Sequence, residues 1–310
     1  MLSSRSACFD GYEDFRDGNY VIVPEDPVKF IAVRDSGTMA RSSDGINWAQ
    51  ITVGNQNWNA ITHGNGRFVA VGDNGSIAHS TDGINWSQIT VGTSRWNDVT
   101  YGNGKFVAVR GSMVGGVAGG FGEKAYSIDG INWVRLPEDY CYWTSVTYGN
   151  GKFVAVGYVT SRGATNGIFA YSANGINWSQ VTVGNAIWES VTYGNGRFVA
   201  VGVDGRMAHS TNGTNWSQIT VGNLSLLDVT YGNGRFVAVG VNGRMTHSTD
   251  GINWTQITVG NISWSGVTYG NGRFVAVGVN GRMTHSTDGI NWTQITVGNI
   301  GWSGVSSVGN

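Results

Sequence analysis

Residues 229–266 read VTYGNGRFVAVGVNGRMTHSTDGINWTQITVGNISWSG, and residues 267–304 repeat them with a single change, Ser263 becoming Gly301. Within one copy, short β-rich runs alternate with turn-forming stretches. Trp264–Tyr269, Arg273–Val277, Arg282–Ser286 and Trp292–Val297 are the runs; Gly-Asn-Gly, Val-Asn-Gly and Thr-Asp-Gly-Ile-Asn separate them. Gly and Asn tolerate positive φ, so these stretches predict tight turns between antiparallel strands. The second run, Phe-Val-Ala-Val, is apolar on both faces, which marks a strand sandwiched between neighbouring layers. No segment sustains a helical period.

The same unit extends outward in both directions. The Trp of an Asp/Asn-Gly-x-Asn-Trp tag recurs at Trp48, Trp86, Trp133, Trp178, Trp216, Trp254 and Trp292, with spacings of 38, 47, 45, 38, 38 and 38. A Phe-(Val/Ile)-Ala-Val run begins at Phe30, Phe68, Phe106, Phe153, Phe198, Phe236 and Phe274. One sheet of four short strands cannot bury both its faces, whereas a radial array of such sheets can. The pattern therefore predicts an all-β protein, a seven-bladed β-propeller of four-stranded antiparallel blades.

The ends predict how the ring closes. The first copy starts near Lys29-Phe30 without a Trp-x-x-Val-Thr-Tyr strand ahead of it, while Trp302-Ser-Gly-Val-Ser-Ser-Val-Gly-Asn310 follows the last tag and matches that missing strand. The C-terminal strand is expected to complete the first blade and remove an open edge. Tyr20–Val23 is the rival for that slot and fits it less well. Residues 1–28 then form an N-terminal extension and residues 29–310 the propeller.

Composition narrows the function. Charged residues are 13% of the chain and the net charge is −1, so no field gathers a polyanion and nucleic acid is not an expected partner. Cys8 and Cys141 make neither a disulfide framework nor a zinc set, and whether they pair is left open. The N-terminal MLSSRSACFDGYEDFRDG lacks the apolar core of a signal peptide, and no run of eighteen apolar residues predicts membrane insertion. An extracellular or virion-surface location would then require a non-classical route, lysis or a virion.

The tags SSDGINW (42–48), STDGINW (80–86), SIDGINW (127–133), SANGINW (172–178), STNGTNW (210–216) and STDGINW (248–254 and 286–292) resemble the Asp-box of sialidase-like and related propellers. They are one residue shorter between Asp and Gly, and Asn174 and Asn212 replace the Asp in two copies. The resemblance covers the chain from residue 29. It implies a structural turn between the third and fourth strands at Asp44, Asp82, Asp129, Asp250 and Asp288, away from any active site. The repeats are also similar to those of bacterial and phage tail or surface propellers, and the architecture to seven-bladed lectins. Those likenesses imply carbohydrate binding, as in a lectin-like adhesin or a virion structural protein.

Catalytic chemistry finds little to stand on. A sialidase requires an arginine triad, a Tyr/Glu nucleophilic pair and an acid. The five glutamates Glu13, Glu25, Glu123, Glu138 and Glu189 neither recur nor sit in a motif. No catalytic residue is assigned. His79, His209, His247 and His285 share one position, replaced by Arg41, Tyr126 and Tyr171 in the other copies. One histidine per blade cannot bring several ligands to about 2 Å from one ion, so no metal and no cofactor is expected. The repeated Arg67, Arg197, Arg235 and Arg273, with Lys105 and Lys152, read as solvated or paired. Gly-Asn-Gly is followed by no helix and is a turn, not a phosphate loop.

With strands A to D in chain order, the B–C and D–A connections share one face of the ring and the A–B and C–D turns the other. The insertions Arg110–Lys124 and Tyr158–Ile168, and the divergent Leu136–Tyr142, all fall on the first face. Rigid scaffolds carry function on such loops. Candidate ligand-binding residues there are Asn74, Asp204, Asn242 and Asn280, followed by Arg206, Arg244 and Arg282, and Asn185, Asn223, Asn261 and Asn299 of the D–A connections. Planar polar groups suit vicinal hydroxyls. Trp188, Trp264 and Trp302 are read mainly as inter-blade core. The expected function is a non-enzymatic module that binds a surface glycan or protein receptor, repeated weak sites adding through avidity. The alternatives are a protein-interaction scaffold, docked through residues 1–28 to virion or tail proteins, and a sialidase-like hydrolase.

Overall fold

The computed structural model describes residues 13–16, 19–22 and 27–308, apart from 115–116, 162 and 224. Seven four-stranded antiparallel sheets form a ring, each in the order A-B-C-D. In the last blade the strands are Trp264–Gly270, Arg273–Gly278, Arg282–Ser286 and Thr293–Thr296. All four sequence-predicted runs are thus matched within two residues at each end. A strands of neighbouring blades pack against one another, placing them around the central axis.

The ring closes through the tail. Gly304–Ser307 pairs with Phe30–Val33, in the register Phe30 to Ser307 and Val33 to Gly304. Ser303 N–H donates to the Val33 carbonyl and Val308 N–H to the Lys29 carbonyl, each at 2.8 Å. The rival segment does not fill the slot: Asn19–Ile22 pairs instead with Glu13–Arg16. The segment 1–28 otherwise lies largely outside the described residues, as does Cys8; Cys141 is a buried free thiol.

Burial follows the repeat. Each B-strand Phe is at most 2% exposed, and the tryptophans opening five A strands or their approaches (Trp58, Trp96, Trp143, Trp188 and Trp264) are fully buried. Six of the seven tag tryptophans, all but Trp133, lie 6.3–6.4 Å from B-strand phenylalanines, as in Phe236–Trp254 and Phe153–Trp178. Blades also lock into each other through the Tyr-Gly pair ending strand A. A Cβ on Gly232 would overlap the Tyr269 ring of the following blade, and Gly102, Gly149 and Gly194 meet Tyr148, Tyr193 and Tyr231 in the same way. Gly234, two residues further on, has φ +73° but open space around it. Gly232→Ala should therefore cost about 3 kcal/mol through overpacking, and Gly234→Ala only about 1 kcal/mol through backbone strain. Urea midpoints of the two variants check the order.

The turns supply the remaining joints. Asn150, Asn195 and Asn233 occupy left-handed positions with φ 46°, and each Nδ2 donates to a carbonyl in the next blade's C–D turn, Thr211, Thr249 and Thr287 respectively. Inside those turns, Asp250 Oδ1 accepts the Ile252 and Asn253 amides at 2.8 Å and the Ser248 hydroxyl at 2.9 Å. Against the cost of burial, the Asn47 and Ile46 amides hold the equivalent Asp44 down at about 2. Asn174 keeps the two amide bonds at 2.9 Å, which is why Asn can replace Asp there.

The two insertions are not loops. They lengthen strands B and C into hairpins, Lys105–Val114 with Val117–Ser127 and Lys152–Ser161 with Ala164–Ser172. These B strands have ten residues where the last blade has six. Four extra residues carry them roughly 13 Å past the other blades.

Candidate functional site

The A strands begin at the face bearing the B–C and D–A connections, and their first residues surround a cavity of about 310 Å³ at the mouth of the channel. Every blade contributes. The lining is polar: Asn59 and Asn97, Thr144 and Ser145, Glu189 and Ser190, Asp228, Ser265 and Ser303, with Tyr142 and Arg95 at the mouth. A β-irregularity after the first residue of strand A accounts for the lining, because it turns an additional side chain inward in blades 2, 4, 5, 6 and 7.

Side chains of adjacent blades are stitched together around this mouth. Asn59 Nδ2 donates to the Trp96 carbonyl at 2.9 Å, Asn97 Nδ2 to the Trp143 carbonyl at 2.6 Å, and Thr144 Oγ1 to the Trp188 carbonyl at 2.7 Å. Ser265 Oγ donates in the same way to the Trp302 carbonyl. One layer deeper, Asp98 accepts Ser145 Oγ and the Val146 and Val99 amides, each at 2.8 Å. Asp228 accepts Ser190 Oγ at 2.6 Å and the Val229 and Val267 amides at 2.8 Å. Burial pushes Asp98 up to about 7 and Asp228 up to about 6, the donors acting in the opposite direction. Both carboxyls are fully engaged in joining blades.

Blades 3 and 4 raise a wall beside the mouth. Tyr142 and Tyr158 stand with ring centroids 5.3 Å apart, and Phe121 and Tyr140 at 6.4 Å, Tyr140 being 76% exposed. Burial, with Tyr142 and Glu189 close by, pushes the Tyr158 phenol up to about 12. Behind the rings lies a charge network that, among the described residues, has no counterpart in the other blades. Arg110 Nε donates to Glu123 Oε2 at 2.6 Å and its Nη2 to Glu138 Oε1 at 2.8 Å, while Arg135 engages Glu123 at 2.5 and 2.9 Å. Lys124 Nζ reaches Asp139 Oδ2 at 2.6 Å and sits 4.0 Å over the Trp143 ring. Burial draws the Lys124 ammonium downward and Asp139 holds it up. Trp143 Nε1 donates to Asp139 Oδ1, whereas Trp58, Trp188 and Trp264 donate to the valine carbonyl five residues earlier. The divergent D–A segment thus replaces a backbone acceptor with a carboxylate, which the buried lysine then pairs.

The candidates named from sequence are distributed around the rim of this face. Asn74, Asp204, Asn242 and Asn280 are exposed turn residues with φ 55–57°, and Arg206, Arg244 and Arg282 are exposed at the start of strand C. Asn185, Asn223, Asn261 and Asn299 are exposed in the D–A connections. None of them lines the cavity, so the structure does not gather them into one site. Trp188, Trp264 and Trp302 are at most 2% exposed and offer no face to a ligand. Apart from Glu189 and Tyr142, the lining residues are not among those singled out by the sequence. Their signal is that the two positions after the A-strand tryptophan vary from blade to blade while the flanking residues repeat.

The repeated basic residues and histidines lie elsewhere and pair with each other. Arg67, Arg197, Arg235 and Arg273 each place Nη1 2.9–3.0 Å from Nδ1 of His79, His209, His247 and His285. Burial first, and the guanidinium second, lower these imidazoles, so each is a neutral acceptor. Below the ordinary value of about 6.5, the unfolded chain takes up protons that the folded one refuses, and stability falls as pH drops. The melting temperature should therefore fall less between pH 7.5 and 5.5 when all four histidines become tyrosine, the residue found at 126 and 171. Asp98 and Asp228 act with opposite sign but are common to both proteins. Parallel curves would contradict the assignment. Among the described residues no group of three or more His, Cys, Asp or Glu is placed to hold a metal, and no helix is long and apolar enough to cross a membrane.

No family model and no curated protein matches this sequence. Solved structures do resemble it. YCF48 bound to D1 peptide superposes with a TM-score of 0.57 at 17% identity, covering 88% of this chain and 85% of that one. The WD40 β-propeller domain of Doa1 gives 0.59 at 14% identity over 80% and 85% of the two chains. Apo AztD from Citrobacter koseri gives 0.59 at 11% identity over 91% and 97%. At such identities the likeness is one of fold, and the Asp-box likeness remains one of turn sequence. The chain is a seven-bladed β-propeller, and it shares the propeller architecture with these structures.

Proposed function

We propose that the protein is a non-enzymatic binding module that takes a surface glycan at the channel mouth, on the face carrying the B–C and D–A connections. One observation carries the reading: the blades that depart from the repeat raise their aromatic wall directly beside a cavity lined by hydroxyls and amides. A cavity of about 310 Å³ stands at the lower end of small-molecule sites, about 300–1,000 Å³. Tyrosine rings pack on the C–H face of a sugar while asparagine, serine and threonine pair with its hydroxyls. The rim asparagines and arginines would meet neighbouring residues of a longer chain. Such a module suits a lectin-like adhesin or a component of a phage tail or virion surface, with residues 1–28 as the attachment segment.

A glycan array on the purified protein tests this. Binding that falls at least tenfold in Tyr142→Ala, with an unchanged melting temperature, supports it. No glycan binding, together with stable capture by a protein partner, favours the second reading, a protein-interaction scaffold. That reading has one specific support, the similarity to YCF48, whose structure holds a D1 peptide. A non-catalytic role is supported by Asp98 and Asp228 each holding three donors of the frame. Release of chromophore from aryl glycosides, abolished by Glu189→Gln or Glu138→Gln, would overturn it in favour of a hydrolase.

A further inference from the structure

Four of the seven seams at the channel mouth are closed by one bond, from the residue after the tryptophan that opens or precedes strand A to the equivalent tryptophan carbonyl of the next blade: Asn59, Asn97, Thr144 and Ser265 donate. Glu189 holds that position in blade 5 and lines the cavity, and by the register of the repeat the Leu226 carbonyl of blade 6 is the equivalent of the carbonyls those donors reach. A carboxylate and a carbonyl are both acceptors, so the ionised seam cannot close itself, and burial accordingly pushes the Glu189 carboxyl up. Among the described residues no donor reaches Glu189, and no side chain donates to the Leu226 carbonyl. The other two channel carboxyls, Asp98 and Asp228, each accept three donors, so the carboxyl left without a donor among the described residues is that of Glu189. Tyr142 lines the same cavity as Glu189, with the Tyr158 ring 5.3 Å from its own, and Tyr142 and Glu189 add to the burial that raises the Tyr158 phenol. The basic residue at the mouth, Arg95, has Asp73 3.7 Å away and is more than half exposed.

We infer that Glu189, the Leu226 carbonyl and the Tyr142–Tyr158 pair form a subsite for a protonated primary amine, presented by an amino sugar. An ammonium has three donors and no acceptor, so it can bond the carboxylate and the carbonyl together. The tyrosine rings add attraction for a cation at their faces. A neutral acetamido or hydroxyl group at the same place carries no charge to answer the carboxylate. The inference rests on the glycan-binding reading and assigns its specificity.

Calorimetry with glucosamine oligomers and their fully N-acetylated counterparts, on wild type, Glu189→Gln and Tyr142→Ala, tests it. Wild type should prefer the free amine by tenfold or more. Glu189→Gln should lose about 30-fold or more of the affinity for the amine form, the magnitude of unpairing a buried charge, and little for the acetylated one. The same variant should melt no lower than wild type, because the glutamine amide can donate to the Leu226 carbonyl as Asn59 and Asn97 do at theirs. Equal binding of the two oligomers, weakened alike by Tyr142→Ala, would overturn the amine subsite and leave the glycan reading standing. Binding of neither oligomer, or of an oligolysine peptide alone, would overturn the amine-sugar assignment. Only a full glycan array without hits would remove the wider reading.

Discussion

A chain ending at Gly301 loses cooperative unfolding and associates through its open edge. The deletion removes the A strand of the first blade, Gly304–Ser307, and exposes Phe30–Val33, every residue of which is buried. It also removes Trp302, which is 2% exposed, stacks under the Arg34 guanidinium at 5.0 Å and accepts the Ser265 hydroxyl. Truncating a buried tryptophan alone costs about 3–5 kcal/mol, and domains of ordinary stability hold about 5–15 kcal/mol in total. Losing the strand pairing as well leaves little or nothing. Size-exclusion chromatography and tryptophan fluorescence in urea should show oligomers and a broad transition. A monomer with the wild-type midpoint would show that the tail contributes nothing to the ring.

The second large effect is in blade 3. Glu123→Ala should destabilise by about 3–5 kcal/mol, because it leaves a buried guanidinium with half its partners. Glu123 is 2% exposed and serves two arginines: Arg110 is 4% exposed, Arg135 partly so. Glu138 can retain Arg110 Nη2, but nothing else described reaches its Nε. The contrasting substitution is Arg95→Ala at the rim, a side chain 56% exposed and 3.7 Å from Asp73. Exposed pairs contribute about 0–1 kcal/mol, so its share through that pair is small. Equal losses in the two variants, measured by urea unfolding, would mean that the network in blade 3 is not the brace its geometry indicates.

The ring was legible because each repeat states the same local instructions: a doubly apolar B strand, a Tyr-Gly step and a Ser/Asp turn. The tail was legible because its Trp302-Ser-Gly-Val matches the A strand lacking at the start. The insertions were harder to read. Arg110–Lys124 holds several glycines and little alternation, so its composition suggests a loop, yet its strands pair as far as Val114 with Val117, with one register shift after Ser112. Pairing with an already rigid hairpin decides such a segment, whatever its own propensity. The charge network joins Arg110, Glu123 and Glu138, which lie far apart in sequence and in no shared pattern, so only the folded blade brings them together. For the site, the predicted face carries the cavity, but the residues named lie on its rim. Attention had gone to exposed Asn and Arg in turns, whereas the concave surface belongs to the opening residues of strand A. Glu189 could be read only against its equivalents Asn59, Asn97, Thr144 and Ser265, after the register was known.

The closed ring is tested most directly by a covalent link across its seam. Ala32 and Val305 are partners in the pairing of the tail with the first blade, and such partners lie about 4.5–5.5 Å apart at Cα, within the reach of a disulfide. With Cys8 and Cys141 changed to serine, the Ala32→Cys, Val305→Cys protein should form this link within single chains on mild oxidation. Mass spectrometry of the digest should find the two peptides joined, and the oxidised protein should melt higher than the reduced one. Free thiols throughout, or links only between separate chains, would mean that the last strand does not return to the first blade.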